Sequence, residues 1–278
     1  MAINRGPFNA LVDDDGSNTV GSIWNKAAIA GVLLDPTDAA LLATVVPRTD
    51  TGTVTDWAPG LSGTTLIQWS GVSNLAVNTL AGGVRGQTVI FKNIGGAVAS
   101  FAHMSGAGLA TNRFYNLAKS AATPVAPDGW ATWVHDGNLW NLIDHEQGAW
   151  ITPAYSAANF TALAPMTWTV DAADVTAYTY RLSGRTLSVV WFLDTTTVGG
   201  TGTSQLRLKV PGGFLVAKDT VTFQYASDAG APGTAGYVVA GPNTPNLLIL
   251  CRDATTNTNW TVAANLTYAR GTITFEVT

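Results

Sequence analysis

Short segments in which apolar and polar residues alternate, separated by glycine turns, run through the sequence from Trp57 to Thr278. Thr and Val are frequent in these segments and favour the half-buried pleated surface of a strand. The 29 glycines supply tight turns. Short strands without intervening helices are typical of sandwiches and jelly rolls. The sequence therefore predicts an all-β fold for this part of the chain.

Three turn signals predict hairpins. The strongest is Asp136-Gly137-Asn138, which lies between the alternating segments Trp130–His135 and Leu139–Ile143. Ser183-Gly184-Arg185 and Pro211-Gly212-Gly213 are of the same kind. The other strand candidates are Thr64–Ser70, Leu75–Leu80, Gln87–Asn93, Ala97–Met104, Thr167–Asp171, Ala177–Ser183, Thr186–Leu193, Gln205–Val210, Val221–Tyr225, Gly236–Ala240, Leu247–Arg252 and Gly271–Thr278.

The first 46 residues differ from the rest. Apolar residues from Trp24 to Val32 recur every three to four positions, which predicts a short amphipathic helix. Asp35 and Pro36 then form a helix start, and a second short helix is expected over Asp38–Val45. We therefore expect a helical N-terminal arm over residues 1–46, followed by two β-sandwich or jelly-roll-like domains over residues 47–149 and 150–278.

Charged residues make up only 12% of the chain, against about 25% in an ordinary soluble domain. A monomer of this composition would present a large uncharged surface to water, and such surfaces usually mark contacts with other chains. We therefore expect an oligomer. The alternative is a monomer whose surface is rich in Thr, Ser and Asn.

Several partners are excluded by composition. The formal net charge is −4 and there is no basic run, so no nucleic-acid binding is expected. No apolar run approaches the roughly 20 residues of a membrane helix, so no membrane insertion is expected. Met1–Phe8 lacks the apolar core of a secretory signal, which predicts synthesis in a cytoplasm.

Cys251, the single cysteine, is expected to be a buried apolar residue.

Several stretches resemble proteins of tailed phages. The stretch Asn9–Ile29 resembles the N-terminus of fibre and head-decoration proteins. Gly86–Gly95, Ala110–Phe114 and Val125–Leu142 resemble a module of tail fibres. Similarity to the terminal domain of such fibres extends over Gly184–Val189, Thr195–Gly200 and Lys209–Gly213. The chain is also similar to spikes of gene-transfer agents.

This resemblance implies a virion protein: a homotrimeric fibre or spike that projects from the particle and contributes to attachment to host-surface glycans. The N-terminus would then contact other virion proteins of the portal, tail, baseplate or capsid. The residues that the resemblance points to for this anchoring are Asp13, Asp14, Asp15, Trp24, Asn25 and Lys26. A capsid decoration protein without host contact is an alternative that stays open.

Glycan contacts are expected in the loops of the distal domain, because sugar rings stack on aromatic side chains. Trp260 lies in a polar loop in which Asn257 and Asn259 offer hydrogen bonds to hydroxyl groups. Tyr225 and Tyr237 are further candidates. The alternative for Trp260 is packing in the core, since an indole buries a large area.

Catalysis is not expected, although a polysaccharide depolymerase is a further alternative. Glycoside hydrolysis needs two carboxylates, and the chain has only two glutamates, Glu146 and Glu276. Asp136 and Asp144 flank one hairpin and are the other candidates. The histidines next to these carboxylates are interpreted as structural residues. No metal and no cofactor are expected.

Overall fold

The computed structural model describes residues 44–253 and 258–278. Strands account for 54% of the described residues and helices for 5%, and no described helix reaches seven residues. The all-β prediction is therefore confirmed. Most of the predicted helical arm lies outside the described residues. Its end is corrected, because Thr44 and Val45 begin a strand.

Strands β1 to β10 cover the first half of the described chain. They are β1 Thr44–Arg48, β2 Gly52–Val54, β3 Thr64–Trp69, β4 Leu75–Val77, β5 Thr88–Asn93, β6 Ala99–Phe101, β7 Phe114–Tyr115, β8 Thr123–Val125, β9 Asp128–His135 and β10 Trp140–Gly148. Strands β11 to β19 cover the second half. They are β11 Phe160–Ala162, β12 Met166–Thr169, β13 Val175–Ser183, β14 Thr186–Gly200, β15 Leu206–Lys209, β16 Thr220–Ser227, β17 Thr234–Ala240, β18 Leu247–Cys251 and β19 Ala263–Glu276.

The first six strands form a β-solenoid. Each coil contributes one strand to each of two sheets: β1, β3 and β5 pair in parallel in one sheet, and β2, β4 and β6 pair in parallel in the other. The pairing places Val46, Ile67 and Phe91 side by side on successive coils. Chain direction is therefore repeated from coil to coil, without the reversal that a hairpin requires.

The space between the two sheets is filled by aromatic and aliphatic side chains. Phe91 lies at the centre, with ring centroids 6.1 Å from Trp69 and 4.8 Å from Phe101. Phe101 in turn lies 4.5 Å from Trp133. All four side chains are buried. Edge-on and tilted ring pairs at these distances are favourable beyond the area they bury, so the aromatic residues hold the coils together.

The parallel stacking ends after the third coil. β9 pairs antiparallel with β5, and β8 pairs antiparallel with β6. β9 and β10 form the predicted hairpin around Asp136-Gly137-Asn138, with Trp140 opposite His135. A β-bulge between Leu142 and Asp144 shifts the register of this hairpin. The hairpin prediction at this turn is confirmed.

The C-terminal strands are antiparallel and belong to the same sheet as β9 and β10. The path runs through β13, β14, β19, β16, β17, β18, β15 and β11, with β12 paired to β14. A second hydrophobic cluster, which includes Trp168, Trp191 and Trp260, lies on the inner side of this sheet. The β13–β14 hairpin at Ser183-Gly184-Arg185 is confirmed. Pro211-Gly212-Gly213 instead forms a 3-10 turn, because the strands on either side of it do not pair.

The prediction of two β-sandwich or jelly-roll-like domains is wrong. Residues 44–101 form solenoid coils, and the later strands follow one continuous hydrogen-bonded path in place of two stacked sheets. Many of the predicted strand segments and two of the predicted hairpins are present, but the parallel pairing of the first strands was not predicted. The domain boundaries at 46/47 and 149/150 stay predictions, although the first falls inside β1.

Candidate interaction surface

Two of the glycan-contact candidates of the polar loop, Trp260 and Asn259, lie in the part of the chain that the structure describes. The side chain of Trp260 is 1% exposed, and its indole Nε1 donates a hydrogen bond to the carbonyl of Leu250 at 3.4 Å. Trp260 therefore packs in the core and presents no ring face to a ligand, which corrects its proposed role. Asn259 is exposed, and its carbonyl accepts a hydrogen bond from Arg252 at 2.9 Å. Asn257 lies outside the described residues.

The two tyrosine candidates lie elsewhere, on the outer side of the C-terminal sheet. Tyr225 on β16 pairs with Arg270 on β19. Tyr237 on β17 pairs with Phe223 on β16 and with Cys251 on β18. The hydrogen bond between Tyr237 and the Cys251 thiol, together with burial, raises the pKa of Tyr237 to about 12. Cys251 is buried, as predicted.

These tyrosines belong to a larger apolar surface, which we call the outer face. Its large apolar members are Phe192 on β14 and Val221, Phe223 and Tyr225 on β16, with exposed fractions of 42%, 64%, 72% and 48%. Val190 on β14 is half-buried beside them. The face forms an open groove of about 550 Å³. Apart from Arg270, the groove has few polar groups.

The outer face exists because β16 is oriented against its own hydrophobic pattern. Val221, Phe223 and Tyr225 alternate with smaller or polar residues, and this pattern predicts that the large apolar side chains point inward. In the structure they point to solvent, while Gln224 is 4% exposed. The interior at this level is already filled by the indole ring of Trp191. The neighbour of Gln224 on β19 is Gly271, and a Cβ on Gly271 would lie 2.5 Å from that ring. No space remains on this side for a large side chain of β16.

The buried amide of Gln224 is incompletely paired. Its Nε2 donates to the carbonyl of Cys251 at 3.1 Å, and its Oε1 has no hydrogen-bond partner. Leaving a buried polar atom unpaired costs free energy. β16 therefore exposes large apolar groups and buries a polar one, which is the reverse of what an isolated surface strand does.

Charged groups on the outer face are paired within the chain. The guanidinium of Arg270 contacts the carboxylate of Asp194 at 2.7 Å. Further along the same side of the sheet, Glu276 contacts Arg185 at 2.9 Å and Lys218 at 2.6 Å. The hydrogen bond to Lys218 and the positive charges of Lys218 and Arg185 hold the pKa of the Glu276 carboxyl below its usual range. The face thus has an apolar centre and an ionic edge.

The carboxylates considered for catalysis form ion pairs and hydrogen bonds with neighbouring residues of the chain. Glu146 contacts Arg181 at 2.7 Å. Asp136 accepts backbone hydrogen bonds from Asn138 and Leu139 at 2.7 and 2.8 Å. Asp144 accepts the backbone N–H of His145. The imidazole of His145 is buried, and burial lowers its pKa.

Among the described residues, no three His, Cys, Asp or Glu side chains come together in an arrangement that could hold a metal ion.

The anchoring candidates are not described by the structure. They are Asp13, Asp14, Asp15, Trp24, Asn25 and Lys26, and all lie before residue 44. In residues 44–253 and 258–278, no helix has the length and apolar character needed to cross a membrane.

Comparison with family models and with curated proteins gives no match to this chain. The fold and the surface therefore define it only as an all-β protein with a β-solenoid and an apolar outer face.

Proposed function

We propose that this protein is a non-catalytic subunit of a virion appendage. In this proposal it forms a homotrimeric fibre or spike that projects from a phage particle and contributes to attachment to host-surface glycans. The observation that carries the proposal is the single hydrogen-bonded sheet that runs from the solenoid coils into the C-terminal strands. This sheet connects the hydrophobic cluster of the solenoid with that of the C-terminal strands. A connection of this kind transmits force along the chain, which suits a structural subunit that projects from a particle.

The connection between the two clusters is reinforced by buried hydrogen bonds. Gln147, at the end of β10, is fully buried. Its Nε2 donates to the carbonyls of Ala149 and Tyr180 at 2.9 and 3.1 Å, and its Oε1 accepts the N–H of Leu182 at 2.9 Å. Ile151 and Tyr180 exchange two backbone hydrogen bonds of 2.9 Å beside it. These bonds restrict movement between the solenoid and the C-terminal sheet.

The ion pairs of Glu146 and Glu276 support a structural role over a depolymerase. Glu146 is tied to Arg181, and Glu276 is tied to Arg185 and Lys218. A general acid in glycoside hydrolysis needs a raised pKa, whereas the pKa of Glu276 is lowered. Attachment to the particle is assigned to residues 1–46, in line with the resemblance of that segment.

Immunogold electron microscopy of intact particles tests the proposal. An antibody raised against the C-terminal residues should label projections at a distance from the particle body. Particles that carry no label would contradict the proposal. Label spread evenly over the capsid shell would also contradict it and would favour the decoration protein. Glycan-array binding by the full-length protein tests the attachment role separately.

A further inference from the structure

We propose that the outer face is the surface through which copies of this chain associate. The inference deepens the proposed function, on which it rests, by naming the residues that meet a second copy: Phe192, Val221, Phe223 and Tyr225, with Val190 between them. The partner is another copy of the same chain, seated on the outer side of β14, β19 and β16.

The orientation of β16 is the first argument. Shifting a strand by one residue moves its whole hydrophobic set to the other face, so orientation is strongly specified wherever one side is buried. β16 presents Phe223 and Tyr225 outward and leaves Gln224 inward with an unpaired Oε1. This arrangement is unfavourable in an isolated chain. It becomes favourable when another chain covers the outer face.

The exposed apolar area is the second argument. Taking about 200 Å² for a whole aromatic side chain, the exposed fractions of Phe192, Val221, Phe223 and Tyr225 leave on the order of 400 Å² of apolar side chain in contact with water. A standard interface buries about 800 Å² per partner. These four side chains thus supply about half of what a stable contact needs, and the half-buried Val190 and Tyr237 on the same side of the sheet add to it.

Charge is the third argument. In a trimer whose threefold axis runs along the outer face, three copies of that face come together, so a net charge on it would meet its own sign. Arg270 is the ionised group in the groove, and it is neutralised by Asp194 within the same chain. The ion pairs of Glu276 lie toward the edge, away from the aromatic centre. An apolar centre with a polar rim is the usual composition of a protein interface.

A glycan fits the outer face less well than a second copy does. Sugar sites need convergent polar groups that bind hydroxyls and fix the ligand orientation. In the groove, the guanidinium of Arg270 is engaged by Asp194 and the amide Nε2 of Gln224 by the Cys251 carbonyl. Beside the aromatic rings, the other polar side chains of the groove are the hydroxyls of Tyr225 and Thr272, so few polar groups converge on a ligand there. The chemistry therefore matches an apolar protein surface.

The test replaces Phe223 by aspartate in the full-length protein and measures molar mass by sedimentation. We expect the wild type to be a trimer and Phe223→Asp to be a monomer, a threefold loss of mass. Phe223→Leu, which keeps an apolar side chain, should stay trimeric. Leu109→Asp is the matched control, since Leu109 is 65% exposed and lies between β6 and β7, outside the C-terminal strands, and it should also stay trimeric. Far-ultraviolet circular dichroism checks that each variant is folded.

The outcomes separate this inference from the proposed function. A folded Phe223→Asp trimer beside a wild-type trimer would overturn the interface and leave the trimeric appendage standing. A trimeric Phe223→Asp variant that loses the glycan-array signal of the wild type would assign the outer face to a glycan, and would also overturn the inference. A monomeric wild type would contradict the trimer itself.

Discussion

The side chain of Asp136 stabilises the turn between β9 and β10. Its carboxylate accepts the backbone N–H groups of Leu139 and Asn138, and also the side-chain amide of Asn141 at 2.9 Å. These hydrogen bonds favour the ionised form and lower the pKa of Asp136 to about 2. A carboxylate that accepts several hydrogen bonds commonly behaves in this way.

Asp136→Asn is expected to lower the melting temperature at neutral pH, because the amide is a weaker acceptor than the carboxylate. The folded pKa lies below the unfolded value of about 4, so the stabilisation is present above pH 4 and is lost as pH falls toward 2. The difference in melting temperature between the wild type and the variant should therefore shrink between pH 5 and pH 2, as measured by calorimetry at each pH. A difference that does not change with pH would contradict this account.

Gly129 lies where no side chain can be accommodated. A Cβ at this position would meet the carbonyl oxygen of Gln147 at 2.0 Å, and that neighbour is backbone and cannot rotate away. We expect Gly129→Ala to lower the free energy of unfolding by about 1–3 kcal/mol, the usual cost of overpacking. Gly96→Ala is the control, because a Cβ there has nothing within 4 Å. Urea denaturation of both variants measures the difference, and equal stabilities would count against the steric explanation.

The burial of single residues was partly predictable from the sequence. Packing of the tryptophans was expected from their size, and Trp69, Trp133, Trp140, Trp191 and Trp260 are all fully buried. Burial of Cys251 followed from the apolar run around it. For Trp260, whose flanking Thr and Asn residues suggest contact with solvent, the alternative of packing in the core is the interpretation that agrees with its burial. A polar segment can turn one aromatic side chain inward, and its composition does not show this.

Strand β16 shows how packing by neighbours overrides a local pattern. Alternation of large apolar with smaller or polar residues usually turns the large apolar set toward the core, yet Phe223 and Tyr225 face outward. The cause lies on other strands, because Trp191 on β14 fills the interior against Gly271 on β19. No signal within β16 reveals this. Identifying the outer face needed the pairing of β14, β19 and β16, which a strand pattern alone does not specify.

The solenoid was missed for a similar reason. An alternating segment predicts a strand but does not identify its partner, and parallel strands are usually connected through helices. Here the connections between parallel strands are themselves strands of the second sheet. Gly95-Gly96, which resembles a hairpin turn, instead leads from β5 in one sheet to β6 in the other. The sequence thus predicts many of the strands, although not β7, β8 or β11, whereas the direction of pairing of the first strands depends on long-range contacts.

Gln147 provides a prediction for the link between β10 and β13. Gln147→Leu keeps the approximate volume but removes three hydrogen bonds, to Ala149, Tyr180 and Leu182. Because the buried N–H of Leu182 loses its acceptor, and a buried group left unpaired costs about 1–3 kcal/mol, we expect the free energy of unfolding to fall by about 1–3 kcal/mol. Gln68→Leu, at a half-buried position of β3, is the control.

Chemical denaturation measures both glutamine variants. Amide hydrogen exchange shows where protection is lost, and the loss in Gln147→Leu should be largest near Ile151 and Tyr180, whose mutual hydrogen bonds lie beside the substituted side chain. Unchanged protection at these two residues, or an equal effect of Gln68→Leu, would show that the amide of Gln147 does not hold the two parts together.

For the whole molecule, low charge and the outer face lead to the same expectation. Only 12% of residues are ionisable as Asp, Glu, Lys or Arg, and the ion pairs of Arg270 and Glu276 use several of these within one chain. What remains in the centre of the outer face is apolar. A surface of this kind is stable in water when it is covered, and we propose that sister subunits cover it.

Sedimentation equilibrium of the full-length protein at micromolar concentration tests this claim most directly. The account predicts one species with three times the chain mass of 28.9 kDa. A single species of 28.9 kDa that stays soluble over the same concentration range would contradict it, because the outer face would then be stable in water without a partner.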